Sequence, residues 1–446
     1  MKTPKASPKN HEASPKVEAS SPPPAMEMTR EEAIKENKRL AKTRKQHDEA
    51  MKSEKEIIAN ATLENVYKTV GKYLHINDYN RIDLILATAL TNQISGTPIW
   101  MFIVGNSGDW KSAFARSLEG LRNVIKVDTL TKNTLASGLK NADDLGSQLQ
   151  HSNTILLFPD LATLTSLNKD DKNIIWGQFR NLYDGFINKR TGSGVNKEYE
   201  CCHVTIIACT TQAIRDEILI HAQLGTRELM YDTDTDVVDN NDKMDKAWEN
   251  ENIEHEMQQE IQRCVCDFLT YTKIKKITIP KDIKEFLKEQ SSRLAILRAS
   301  AIPDRRHQEL LNPVYPEVPT RVIKQFKRLY IALKSLSDEY PDSKCKDIIK
   351  HIVDSSGNKT RQRILTHLIH NKNWFKIPEL KHELRLSRES VKIQLEILWN
   401  MDIIEKKEEM GRIGGYVDIS YGEEVIKGGR MEEVSYYRFK NQRTID

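Results

Sequence analysis

The chain has 446 residues, 38% hydrophobic and 30% charged, and its 68 Lys and Arg against 64 Asp and Glu leave a net charge of +4. That length exceeds one ordinary domain and points to two or three. No apolar run approaches the roughly 20 residues that span a bilayer, so no membrane partner is expected, and the near-neutral charge excludes a uniformly basic nucleic-acid binder, leaving only local patches.

Residues 1–27 are rich in Pro, Ser and Lys and contain no aromatic residue, which predicts a disordered tail. Residues 28–95 read as N-terminal helices. The first, over 28–58, is dense in Glu, Lys, Arg and Ala and would be exposed and held by i,i+4 charge pairs. In the next, Leu63, Val66, Tyr67, Val70 and Leu74 recur at helical spacing. A further amphipathic helix over 81–93 ends at Ser95-Gly96-Thr97-Pro98.

Residues 96–235 alternate strands and helices. The continuous apolar run at 99–104 reads as a buried parallel strand, further buried strands are expected at 154–158 and 204–209 and a short strand at 123–127, and helices are expected at 111–119 and 170–183. This pattern implies a three-layer α/β/α sandwich on a parallel sheet. Residues 236–340 read as an acidic linker followed by a basic, helical lid. Asp232, Asp234, Asp236 and Asp239 lack the spacing of a calcium loop, so a solvated segment is expected over 232–260. Residues 341–446 form a third unit: helices at 360–370, 377–384 and 388–399, the last capped by Ser387, then strands at 403–404 and 416–419 around a loop at 406–415. The six cysteines include no CxxC pair, which argues against a zinc ribbon and for reduced thiols in a cytoplasmic protein.

The sharpest motif is WMFIVGNSGDWKSAFARSL at 100–118. A buried strand runs into Gly105, Asn106, Ser107, Gly108, Asp109, Trp110, Lys111 and Ser112, and a helix begins. This is GxxxxGK[ST] with Trp110 in place of the last glycine. In such a loop backbone N–H groups cradle a phosphate at a helix N-terminus, the lysine reaches the terminal phosphates and the hydroxyl meets Mg²⁺. Trp110 would need a backbone shape usually left to glycine. TILLFPD places Asp160 at the end of a second strand, where it would hold Mg²⁺ together with Ser112. Leu161 follows, where many such ATPases carry a glutamate base, so hydrolysis is slow, or the base lies elsewhere, or a neighbouring subunit supplies it.

From about residue 63 to 336 the motif order resembles an AAA+ ATPase. The resemblance implies a P-loop NTPase core with a helical lid, ATP and Mg²⁺ as cofactors, and a ring, most simply a homo-hexamer. It gives Asp160, Thr211, Arg227 and Arg321 catalytic roles: Thr211 as the polar end of the sensor 1 strand, Arg227 in LGTRELMYD as an arginine finger for the next subunit, and Arg321 in PTRVIKQFKRLYIAL as sensor 2, with Arg298 competing for that role. Between Asp160 and the sensor 1 strand, FINKR and KEYEC flank Thr191-Gly192-Ser193-Gly194 and read as a β-hairpin. Its place resembles the pre-sensor-1 hairpin of superfamily III and minichromosome-maintenance helicases and of ATPases from phages and integrated elements. Lys189, Arg190 and Lys197 would then grip single-stranded DNA in the ring pore; a solvated hairpin without a ligand is the alternative. The C-terminal unit resembles a winged helix, in which Ser387, Arg388, Lys392 and Gln394 would face duplex DNA and Lys406, Lys407 and Arg412 would lie on the wing; such modules also dock proteins. The expected function is a DNA helicase, translocase or replication initiator, with a weakly hydrolysing nucleotide switch as the alternative.

Overall fold

The structure, a computed structural model, describes residues 51–52, 54–76, 79–139, 141, 143–192, 194–221, 225–233, 240–301, 314–420 and 423–440. The tail expected at 1–27 lies outside these residues, as does most of the helix expected at 28–58; the described part of 51–57 is helical and exposed. The chain divides into a unit ending at Ile57 and one beginning at Ile58, and the second holds the sheets and the helices packed on them.

Helices α1 (Leu63–Tyr73) and α2 (Asn80–Thr91) precede strand β1 (Trp100–Val104) and the short helix α3 (Lys111–Ala115). Strand β2 (Val124–Lys126), helix α4 (Leu145–Leu149), strand β3 (Asn153–Phe158) and helices α5 (Ala162–Thr165) and α6 (Lys169–Tyr183) come next. Strands β4 (Ile187–Arg190) and β5 (Asn196–Tyr199) make the expected hairpin, with Arg190 paired to Asn196 at its outer end. Strand β6 (His203–Thr210), helix α7 (Ile214–His221) and strand β7 (Leu229–Asp232) complete the core.

Five strands form one parallel sheet in the order β2-β3-β6-β1-β7. In β1 side chains alternate between faces. Met101 and Ile103 enter the apolar layer that holds α1 and α2, while Trp100, Phe102 and Val104 enter the layer that holds Phe179 and Leu182 of α6. Both faces are therefore covered, as a continuous WMFIV run requires. Each large side chain buried this way contributes roughly 1.5–3 kcal/mol. The Trp100 indole donates to the Val204 carbonyl at 2.9 Å, so even its polar atom is satisfied.

No strand was expected at β7. It is the edge next to β1, and helix α12 (Asp342–Ser356) covers its open side. The Met230 and Asp232 amides donate to Ser356 Oγ at 2.7 Å and to Ser355 Oγ at 3.0 Å. Two side chains thus take edge amides that would otherwise invite another strand. Residues 342–356, expected in the C-terminal unit, pack on the sheet instead.

The segment expected to be a solvated acidic linker contains helix α8 (Asn240–Asn250). Asn250 anchors it by donating to the Tyr73 carbonyl at 2.6 Å. Helices α9 (Glu254–Tyr271), α10 (Lys281–Arg298) and α11 (Thr320–Ser335) come after it. Beyond α12, and within the same unit as the parallel sheet, come helices α13 (Lys359–Asn371), α14 (Ile377–Leu384) and α15 (Arg388–Asn400) and a sheet ordered β8-β10-β9, from Phe375–Lys376, Glu423–Phe439 and Ile404–Ser420. Ser387 caps α15 as its sequence position suggests, accepting from the Ser390 amide at 3.1 Å. The stretch 406–415, expected as a loop, is strand: its alternating charges lie in a strand that makes cross-strand contacts, among them Arg438 with Glu405 at 2.7 Å. Among the described residues no helix is long and apolar enough to cross a membrane, and all six cysteines are free thiols.

Candidate functional site

β1 ends at Val104, and the chain then curls through 105–110 before α3 starts. The loop packs tightly against the β7 end of the sheet: the Thr233 amide donates to the Val104 carbonyl at 2.8 Å, and a Cβ on Gly105 would stand 1.9 Å from Thr233 Oγ1. Trp110 is the residue before the helix and has φ 54° and ψ −1°, the left-handed shape its position demands. Holding an L-residue there costs roughly 1–2 kcal/mol. Replacing Trp110 should therefore reverse the usual ranking of small residues. Trp110→Gly is expected to be more stable than Trp110→Ala by about 1 kcal/mol, although glycine is ordinarily the weaker of the two. Chemical denaturation of the two variants measures the difference, and an alanine variant as stable as the glycine variant would show that the backbone relaxes.

The loop, Asp160 and the end of β6 enclose a cleft of about 700 Å³ lined by Ser107, Gly108, Asp109, Trp110, Lys111, Ser112, Asp160, Thr210, Thr211 and Lys243 among others. Lys111 is buried and donates back to the Asn106 carbonyl of its own loop. Ser112 Oγ donates to the Pro159 carbonyl at 2.7 Å, which brings the helix hydroxyl next to Asp160 across 47 residues of sequence. Asp160 is exposed, and its carboxylate accepts from the Ala162 amide at 2.9 Å. Two buried polar atoms on the cleft wall, Trp110 Nε1 and Thr210 Oγ1, have no hydrogen-bond partner among the described residues. Thr210, one residue before the expected Thr211, is thus a second hydroxyl at the end of this strand.

Sequence reasoning missed three contributors. Arg81 of α2 reaches the loop and donates to both the Asp109 carbonyl at 3.2 Å and Asp109 Oδ2 at 3.0 Å. Lys243 of α8 donates to Asp109 Oδ1 at 2.9 Å. Burial pushes the Asp109 carboxyl up, but Arg81, Thr233 and Lys243 outweigh it and hold the group below its usual range. The third is Thr210. No local pattern marks Arg81 or Lys243, which matter only through Asp109 far away in sequence, whereas Thr210 lies on the same strand end that marked Thr211.

Arg227 and Arg321 do not join this cleft. β7 runs parallel to β1 with Met101 opposite Leu229, so Arg227 sits at the far end of the strand from the loop at 105–110. The offset is roughly 17 Å at about 3.3 Å per residue. There Arg227 pairs with Asp184 at 3.1 Å and lies over the Tyr183 ring. Arg321 lies over the same ring and donates to the Thr226 carbonyl at 3.1 Å. Arg298, the competing candidate, is almost fully buried beside Glu317 and donates to the Glu228 carbonyl.

The hairpin lysines face the body of the protein. Lys197 is buried and pairs with Asp144 at 2.6 Å. Lys189 donates to Asn133 Oδ1 at 2.6 Å and to the Ala136 carbonyl at 2.8 Å. Arg190 pairs with Glu198 at 2.8 Å but keeps 73% of its side-chain surface exposed. On α15, Arg388 is exposed and Lys392 half-buried, whereas Gln394, expected to face outward, accepts from Arg361 Nε at 2.9 Å inside the unit. The side chain of Arg412, expected on the wing, lies outside those the structure describes.

No family model matches the chain, and no curated protein matches it. Among solved structures it is similar to a candidate ATPase from Cytophaga hutchinsonii, with 13% identity, 70% of this chain and 90% of that chain covered, and a TM-score of 0.40.

Proposed function

We propose that the chain is the subunit of an ATP-dependent AAA+ motor acting on DNA, a helicase, translocase or replication initiator, working as a homo-hexamer and serving a mobile element. The observation that carries this reading is the meeting of Lys111, Ser112 and Asp160 in one cleft at the carboxyl end of a parallel sheet, where a strand leads through a glycine loop into a helix. The donor set fits Mg²⁺: a hydroxyl and a carboxylate are hard oxygen ligands, and this ion takes few protein ligands beside phosphate oxygens and water. Ser112 and Asp160 would hold it, and it would neutralise charge on the phosphates.

Arg227 and Arg321 cannot serve their own cleft from the far end of the sheet. Their common place over Tyr183 supports a role toward a neighbouring subunit's nucleotide. On the hairpin Arg190 is the basic group best placed for single-stranded DNA, and Lys189 and Lys197 serve its attachment. The C-terminal unit, three helices followed by a long hairpin, supports the winged-helix reading, with Arg388 and Lys392 toward duplex DNA.

One observation favours a second reading, a nucleotide switch that scarcely turns over. Leu161 is buried in the core, and of the two carboxylates lining the cleft Asp109 is already engaged by two cations. Among the described residues Asp160 alone is left beside the phosphates. The discriminating experiment is ATP hydrolysis with and without single-stranded DNA, for the wild type and for Lys111→Ala. The motor reading expects DNA-stimulated turnover that Lys111→Ala abolishes. Tight ATP binding with no turnover would sink the motor and leave the switch.

A further inference from the structure

We infer that Lys243 is a phosphate-sensing cation of this cleft, which leaves Asp109 for the terminal phosphates when a nucleoside triphosphate binds. This role rests on the proposed nucleotide site and adds to it a residue that belongs to neither the loop nor the sheet.

Asp109 is buried, and each of its oxygens has its own cation: Arg81 on Oδ2 at 3.0 Å and Lys243 on Oδ1 at 2.9 Å. A single carboxylate needs one counter-charge. Arg81 supplies it, with 8% of its side chain exposed and a second bond to the Asp109 carbonyl that locks it in place. Lys243 is the surplus cation. It comes from α8, retains 22% exposure and lines the cleft together with Met244 and Ala247 of the same helix.

Lys111 stands in the same position. It too is turned back on its own loop, at the Asn106 carbonyl. Two lysines lining one cleft are therefore held by acceptors of the loop itself. A triphosphate offers several anionic oxygens in that space, and charge-assisted bonds to them are stronger than a bond to a neutral carbonyl or to a carboxylate already paired with Arg81. Lysine suits such an exchange, since its ammonium is a point charge on a flexible stem. The stem of Lys243 need only turn within the cleft, and Asp109 stays neutralised by Arg81 after it leaves. The predicted result is discrimination by charge: the more phosphate the ligand carries, the more Lys243 contributes.

The test measures equilibrium binding of ATP and AMP to the full chain, for the wild type, Lys243→Met, Lys243→Arg and Lys111→Ala. Methionine keeps most of the stem and its packing while removing the charge. Lys243→Met is expected to weaken ATP binding about tenfold and to leave AMP within about twofold, and Lys243→Arg is expected to restore most of the ATP affinity. A Lys243→Met variant that binds ATP like the wild type, or that loses ATP and AMP equally, overturns the proposal; equal losses would mean that Lys243 only shapes the loop through Asp109. If Lys111→Ala leaves ATP binding intact, or the wild type binds no ATP, the nucleotide reading itself fails and takes this one with it. Weakened ATP binding in Lys111→Ala beside an unaffected Lys243→Met protein removes the Lys243 role alone.

Discussion

Gly105→Ala is expected to abolish nucleotide binding and to destabilise the core by roughly 3 kcal/mol, at the upper end of what overpacking costs. The added Cβ would lie 1.9 Å from Thr233 Oγ1 and 3.3 Å from Asp109 Oδ2. Neither neighbour yields easily. The Thr233 amide is bonded to Val104 at 2.8 Å, directly beyond β7, and Asp109 is held by Arg81 and Lys243. The methyl group must therefore displace the loop that carries Lys111. Thr233→Ala offers a rescue with a clear geometric basis, because without the hydroxyl the nearest Thr233 atom is its Cβ at 3.2 Å. The double variant is expected to recover more than half of the lost stability. Denaturation of the four proteins in this cycle gives the coupling directly. Strictly additive effects would mean that the loop, and not Thr233, absorbs the methyl.

Arg361→Met is expected to cost roughly 2–3 kcal/mol and to loosen α13 from the end of α10. Arg361 is 2% exposed. Its Nη1 donates to the carbonyls of Ile296, Leu297 and Ala299 at 2.8, 3.2 and 2.6 Å, while Nε holds Gln394. Those carbonyls lie at and just beyond the end of α10, where the Ile296 and Leu297 carbonyls also accept from the Ala299 and Asn358 amides at 3.3 and 3.0 Å. Burial lowers the guanidinium to about 10, still charged at neutral pH. Its value to the fold is therefore geometric: one buried group bonds four acceptors at once, and methionine bonds none. Arg361→Lys, with three donors on a single nitrogen, should recover only part of the loss. Thermal unfolding, together with proteolysis near residue 300, would report both the loss and its location. Unchanged unfolding in Arg361→Met would mean that water replaces the bonds.

The features legible in the sequence are written in local patterns. The apolar runs at 99–104, 154–158 and 204–209 announce strands buried on both faces, because no half-exposed strand tolerates such continuity. The glycine loop between strand and helix identifies itself by spacing, as does the left-handed turn forced on Trp110, and Ser387 announces the start of α15. The hairpin tip is readable from its glycines. Each of these signals lies within a few residues of the structure it specifies.

Other features depend on partners far along the chain. Lys197 was expected from its place in the hairpin to grip DNA, but folding brings Asp144, 53 residues earlier, against it. Lys243 belongs to a stretch whose composition suggests a solvated linker, yet α8 places it on Asp109, 134 residues away. Arg321 was expected to serve the cleft, but the parallel register of β7 with β1 puts it beyond reach of the loop at 105–110. The sequence by itself determined the strands β1, β3 and β6, the helix α15 and the glycine loop between β1 and α3, because periodicity and capping are local. The tertiary structure decided which charges remain available for a ligand and which are spent on the fold. A long basic side chain carries the same letter in either role, and only the acceptor that packing brings within about 3 Å separates them.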